Sequence, residues 1–180
     1  FEKKEKKEKS ETYDRISIPD CEKTTKEGWP ELSVVYQLIA IPDCEDVDVS
    51  ISIIDEIDID DYNIFPVPKK KHRKDGYGFI EEFYKDESAY ALDEYYPKVS
   101  GEIVETGFIR DQKVARVALY PMRFNPKKKK VKVSSDLMID ITFTGASSAV
   151  NKSLGMFTNA VNGAALNYEY SGMGASDFGQ

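Results

Sequence analysis

Between Tyr13 and Phe143 the chain consists of short runs in which residue character repeats every second position, the period of an extended strand. In ELSVVYQLIAI, Leu32, Val34, Tyr36, Leu38 and Ala40 share one side, and Ser33, Val35, Gln37, Ile39 and Ile41 share the other. Both sides are mostly apolar, which predicts a central strand over 32–41. In DVDVSISI, Val47, Val49, Ile51 and Ile53 oppose Asp48, Ser50 and Ser52, which predicts a strand over 46–54 with one face in water. Further strands are expected over 102–109, 112–120, 130–134 and 136–143; in the last, Leu137, Ile139, Ile141 and Phe143 alternate with Met138, Asp140 and Thr142. The eight prolines fall mostly between runs, where no ladder hydrogen bond is lost. Many short strands with Pro/Gly breaks predict an all-β fold. The expected form is a jelly-roll or immunoglobulin-like β-sandwich of antiparallel strands with little helix. Helical spacing is confined to short stretches around Ser88–Tyr95 and Phe157–Tyr168.

Charge divides the chain into three segments. Residues 1–12 are nearly all Lys and Glu, as in a solvated run or an exposed edge. Residues 13–143 carry the strand pattern and are expected to form the folded domain. In 144–180 the only ionisable side chains are Lys152, Glu169 and Asp177, and Gly, Ala, Ser and Asn dominate; this segment is expected to lead toward a further domain. With 180 residues, 41% of them apolar and 32% charged, the class is globular. No apolar stretch approaches the roughly 20 residues of a membrane-spanning helix. The opening FEKKEKKEKSE is the reverse of an apolar leader, so the sequence reads as a piece of a longer precursor.

Candidate chemistry is sparse. A net charge of −7 disfavours nucleic acid as a partner. The single His72 rules out a multi-His zinc site within the chain, and any Cys–His pair would have to use it. The fragment is therefore expected to be non-catalytic. The run Asp43–Asp61 holds nine carboxylates and no Lys or Arg, a composition that calcium could use. DEIDIDDYN lacks the glycine and distal Glu of an EF-hand loop and reads better as the wet face of a strand, so no cofactor is assigned. Cys21 and Cys44 each follow Ile-Pro-Asp, and the two segments flank the turn-like KEGWPE. A Cys21–Cys44 disulfide would close a loop of about 24 residues and stabilise by roughly 3 kcal/mol; two free thiols are the competing reading. Two basic segments stand out, PKKKHRKDG at 68–76 and NPKKKKVK at 125–132. Neither has the interleaved aromatics of a single-strand nucleic-acid binder. The first, with no obvious partner nearby, is expected to be exposed and extended, good bait for a trypsin-like specificity pocket. The second is expected to be a solvated turn.

From Gly107 to Phe143, GFIRDQKVARVALYPMRFNPKKKKVKVSSDLMIDITF resembles the propeptide of the gingipain-type cysteine peptidases. The likeness lies in an Arg-bearing strand region with Arg110, then Pro121, Phe124, Asn125 and Pro126, a basic turn, and alternating strands from Val131. The family more often has Tyr at the position of Phe124. GWPELSVVYQLIAIP at 28–42, Tyr96–Pro97, and SLGMFTNAVNGAALNYE at 153–169 extend the resemblance to about residues 14–169.

The resemblance implies a β-sandwich that covers the active site of the downstream cysteine peptidase domain, keeps the zymogen latent, and assists folding and export. It implies secretion, to the extracellular space or cell surface. In basic-specific members a Lys or Arg of an exposed loop fills the specificity pocket. Laid on the family without gaps between Pro68 and Pro97, that loop falls on Lys69, Lys70, Lys71, Arg73 and Lys74, with Arg73 and Lys74 the best candidates. Processing by a basic-specific peptidase needs Lys or Arg at the junction, and Lys152 is the last such residue. The alternative is a non-inhibitory β-sandwich module serving adhesion or the secretion machinery.

Overall fold

The computed structural model describes residues 1–8, 10–41, 46–73, 76–109 and 112–144. The chain folds as two compact units, one of Phe1–Val35, Ile53–Ser100 and Tyr120–Leu137, the other of Tyr36–Ser52, Gly101–Leu119 and Met138–Gln180. The all-β expectation holds. The strands are β1 (Glu2–Glu8), β2 (Glu11–Ser17), β3 (Glu22–Lys23), β4 (Ser33–Ala40), β5 (Asp46–Ile59), β6 (Lys69–His72), β7 (Phe79–Glu82), β8 (Gly101–Ile109), β9 (Gln112–Leu119), β10 (Met122–Asn125) and β11 (Lys130–Thr144). The sheet orders are β1-β2, β10-β11-β5, β3-β4-β9-β8 and β6-β7.

The first unit carries the larger core. Ile16, Leu32, Ile64, Met122, Phe124 and Val131 are almost fully buried together, with Tyr62, Tyr90, Tyr96 and Val133 packed against them. Alternation explains this in β10, where Met122 and Phe124 turn inward and Arg123 turns to the opposite face. Beside this core, Tyr13, Phe65 and Phe83 form an aromatic cluster with centroids 5.5–5.9 Å apart. The sole helix among the described residues, α1 (Glu87–Tyr90), starts where the Asp86 carboxylate accepts the Ser88 and Ala89 N–H groups. It ends well short of the expected Tyr95. The chain instead turns so that Tyr96 exchanges backbone hydrogen bonds of 2.9 and 2.8 Å with Phe124.

In the second unit β8 and β9 pair antiparallel from Gly101↔Leu119 to Ile109↔Gln112, with an irregularity between Ile103 and Glu105. The central place expected for 32–41 is borne out, since β4 is an inner strand of its sheet, and β9 is the other. The wet face of 46–54 is also present, with Asp48, Ser50 and Ser52 exposed.

Two expectations need correction. Strand β5 runs on to Ile59, past the expected end at Ile54. The strands expected over 130–134 and 136–143 are one, β11, because the Ser134 hydroxyl turns to Glu56 and its N–H to the Pro121 carbonyl without breaking the ladder. Of the two forms expected for the N-terminal Lys/Glu run, it takes the exposed edge: β1 pairs with β2 from Glu2↔Ser17 to Glu8↔Glu11.

Candidate functional site

The first basic segment folds as a two-stranded ribbon. Strand β6 pairs antiparallel with β7 in the register Lys69↔Glu82, Lys70↔Glu81, Lys71↔Ile80 and His72↔Phe79. Gly76 and Gly78, at φ of 78° and 82°, supply the left-handed backbone that the turn requires. At the tip the Arg73 N–H donates to the Gly78 carbonyl at 3.1 Å, and the Gly76 N–H to the Arg73 carbonyl at 3.0 Å. Lys70, Lys71, His72 and Arg73 are all exposed.

The base of the ribbon is fixed on both sides. Before β6, Pro66, Val67 and Pro68 are buried, and Val67 exchanges backbone hydrogen bonds of 2.8 Å with Trp29 and Gly28. After β7, Phe83 enters the aromatic cluster of Tyr13 and Phe65. Gly28 closes the join. Its φ is 79°, and a Cβ there would sit 2.6 Å from the Tyr84 ring. The Lys69 ammonium lies 3.5 Å from the centroid of that same ring. The ribbon is thus a projecting basic element on a packed root.

The segment is exposed and extended as expected, but its cations do have partners. Lys71 forms an ion pair with Glu82, and those hydrogen bonds and charges hold the Glu82 carboxyl below its ordinary range. At Lys70 it is the backbone N–H, not the ammonium, that donates to the Glu27 carboxylate, at 3.3 Å. These partners lie across the ribbon or in a remote turn, where sequence proximity does not reveal them.

The second basic segment is built differently. The Asn125 side chain accepts the Lys128 N–H at 3.0 Å and donates to Asp93 at 3.1 Å, and Lys129 takes a left-handed φ of 54°. Lys128 and Lys127 approach Asp93 at 3.2 and 3.8 Å, Lys130 pairs with Asp60 at 3.0 Å, and Lys132 meets Glu56 at 2.5 Å and Asp58 at 3.4 Å. Glu56 also takes Arg123 at 2.7 Å and is only 15% exposed. Burial alone would raise its carboxyl, but hydrogen bonds from Lys132 and Arg123 hold it below the ordinary carboxylate range. The wet-face reading of Asp43–Asp61 therefore fails at Glu56, and several of these carboxylates serve lysines of β11. Among the described residues no group of three or more His, Cys, Asp or Glu side chains converges as a metal site, and no helix is long and apolar enough to cross a membrane.

Of the motif residues, Phe124 is core, Asn125 and Pro126 are buried in the turn, and the Pro121 carbonyl accepts the Ser134 N–H at 2.8 Å. Cys21 is a half-buried thiol. Lys74, Arg110, Cys44 and Lys152 lie outside the described residues, as does the stretch Phe157–Tyr168.

The family model of Propeptide_C25 matches residues 1–175. The chain belongs to the Propeptide_C25 family. As a member it is a propeptide, a non-catalytic part of a cysteine peptidase precursor. Among solved structures, the complex of Porphyromonas gingivalis RgpB pro- and mature domains is similar over 93% of this chain and 87% of the other, at 15% identity and a TM-score of 0.76. A structure described for the zymogenic latency of gingipain K from Porphyromonas gingivalis is similar over 79% and 80%, at 21% identity and a TM-score of 0.61. At these identities the likeness is one of fold. Among curated proteins nothing matches. Sequence reasoning missed the second strand of the ribbon in this propeptide, with Tyr77, Phe79, Ile80 and Glu82. The available signal was Gly76-Tyr77-Gly78 followed by a short run, which reads as a hairpin turn.

Proposed function

We propose that this propeptide keeps the cysteine peptidase domain of its own precursor latent by placing the β6–β7 ribbon in the active-site cleft. The observation that carries the reading is a basic, exposed ribbon on a packed root, in a Propeptide_C25 chain whose other basic segment is tied to its own carboxylates. Two solved structures that resemble it are a pro- and mature-domain complex and a structure described for zymogenic latency. Arg73 or Lys74 enters an acidic specificity pocket, where charge-assisted hydrogen bonds hold it. Lys69, Lys70 and Lys71 add to the field along the approach. An interface of this kind typically buries about 1,600 Å². Export of the precursor, a Cys21–Cys44 disulfide formed in the oxidising compartment, and processing at Lys152 complete the proposal.

The test is to add the chain to the peptidase domain released from the same precursor and follow hydrolysis of a small basic substrate. Competitive inhibition is expected, with KM raised and kcat unchanged. Full activity in the presence of saturating, folded chain contradicts the proposal.

A further inference from the structure

The ribbon carries more than cations. Tyr77 is 85% exposed, Phe79 59% and Ile80 54%. The register places Ile80 with Lys69, Lys71 and Glu82 on one face, and Phe79 with Lys70, His72 and Glu81 on the other. The Phe79 ring lies tilted against His72, with centroids 4.5 Å apart.

A two-stranded ribbon with water on both faces is marginally stable at best. Edge strands that live in water carry charge, because an apolar edge invites association. The same molecule follows that rule elsewhere: β1, with the sequence EKKEKKE, exposes only Lys and Glu. Strand β7 departs from it, with an aromatic and a branched aliphatic on opposite faces and a tyrosine at the turn. Aromatic side chains in exposed loops fit surfaces that become buried on binding.

We infer that Tyr77, Phe79 and Ile80 anchor the ribbon in the peptidase domain of the same precursor, against apolar walls on either side of the pocket that takes the basic side chain. The inference rests on the proposed function and names further residues for it. Ile80 lies directly across from Lys71 and Phe79 across from His72, so any cleft that receives the tip reaches these side chains too. Gripped on both faces, the ribbon holds its backbone in one register, as an inhibitor must and a substrate need not.

The test titrates four forms of the chain against the released peptidase domain: wild type, Phe79→Thr with Ile80→Thr, Phe79→Leu with Ile80→Val, and Arg73→Ala. Threonine keeps strand propensity while removing most of the apolar surface. The Thr pair should raise the inhibition constant by about 10- to 100-fold, and the Leu/Val pair by less than about 5-fold. The Thr-pair loss should be the same at low and high salt, whereas the Arg73→Ala loss should shrink as salt rises. The thermal midpoint of the free chain should not move, since these side chains are exposed there. Wild-type inhibition by the Thr pair, with inhibition lost in Arg73→Ala, overturns the anchor and leaves the proposed function standing. Wild-type inhibition by both removes the ribbon from the mechanism and the anchor with it. A wild-type dimer that the Thr pair converts to monomer assigns the apolar patch to a second copy and also overturns the inference.

Discussion

The two basic segments of this chain have nearly the same composition and opposite surroundings. In 127–132 the lysines face carboxylates from distant parts of the first unit, Asp93 and the acidic end of β5. Lys132 ties β11 to β5 and Lys130 reaches Asp60 just beyond it, while Lys127 and Lys128 hold the turn against Asp93. In 69–71 the lysines stand on a ribbon with water on both faces, and the ion pair of Lys71 with Glu82 stays within that ribbon. What separates the two sets of cations is the position of the opposing carboxylate in the fold, and on the proposed function it separates a structural role from an inhibitory one.

That contrast is open to attack at several points. The strongest is Glu56. Glu56→Ala leaves Arg123 and Lys132 without their shared, mostly buried acceptor and should cost about 2–4 kcal/mol in denaturant unfolding, while inhibition per folded molecule stays unchanged. A loss near zero would mean that the second segment is not structural. Next is Gly28→Ala, at the root of the ribbon. A left-handed φ and a Tyr84 ring 2.6 Å from the new Cβ predict a cost of about 1–3 kcal/mol, together with weaker inhibition. Unchanged inhibition would show that the root does not need to be fixed.

The pH dependence of stability sharpens the same point. The folded-state pKa of Glu56 lies below its ordinary value of 4.5. Its stabilisation is therefore complete above that value and is lost as pH falls through the depressed folded-state value. The acid limb of the stability curve should flatten in Glu56→Gln relative to wild type; identical limbs would contradict the assigned triad. The smallest effect belongs to the exposed lysines. Lys70→Ala and Lys71→Ala should leave the unfolding midpoint unchanged within error.

Much of the fold was legible in the sequence because one face of most strands is apolar. Strands β4, β8 and β9 follow from alternation, and the two-sided apolar character of β4 foretells its inner position. Strands β1 and β6 were not legible, since an all-charged run carries no hydrophobic period. Their pairing is fixed by backbone ladders and by long Lys stems, as where Lys3 and Lys6 lie over the rings of Tyr62 and Phe65. The basic tip of the candidate site was visible as composition, but its apolar second strand was hidden in a segment read partly as helix. The pairing of Glu56 with Arg123 and Lys132 joins residues far apart in sequence, and local spacing holds no trace of it.

Inhibition constants for two multiple variants, measured at one ionic strength against the released peptidase domain, bear most directly on the difference between the segments. Arg73→Ala with Lys74→Ala should weaken inhibition by tens- to thousands-fold, the equivalent of roughly 2–5 kcal/mol for a charge removed from a buried partner. Alanine at Lys127, Lys128, Lys129 and Lys130 together should change it by less than about 3-fold. An unchanged constant for the first variant would contradict the account. Equal losses in both would replace a pocketed side chain with diffuse electrostatic attraction.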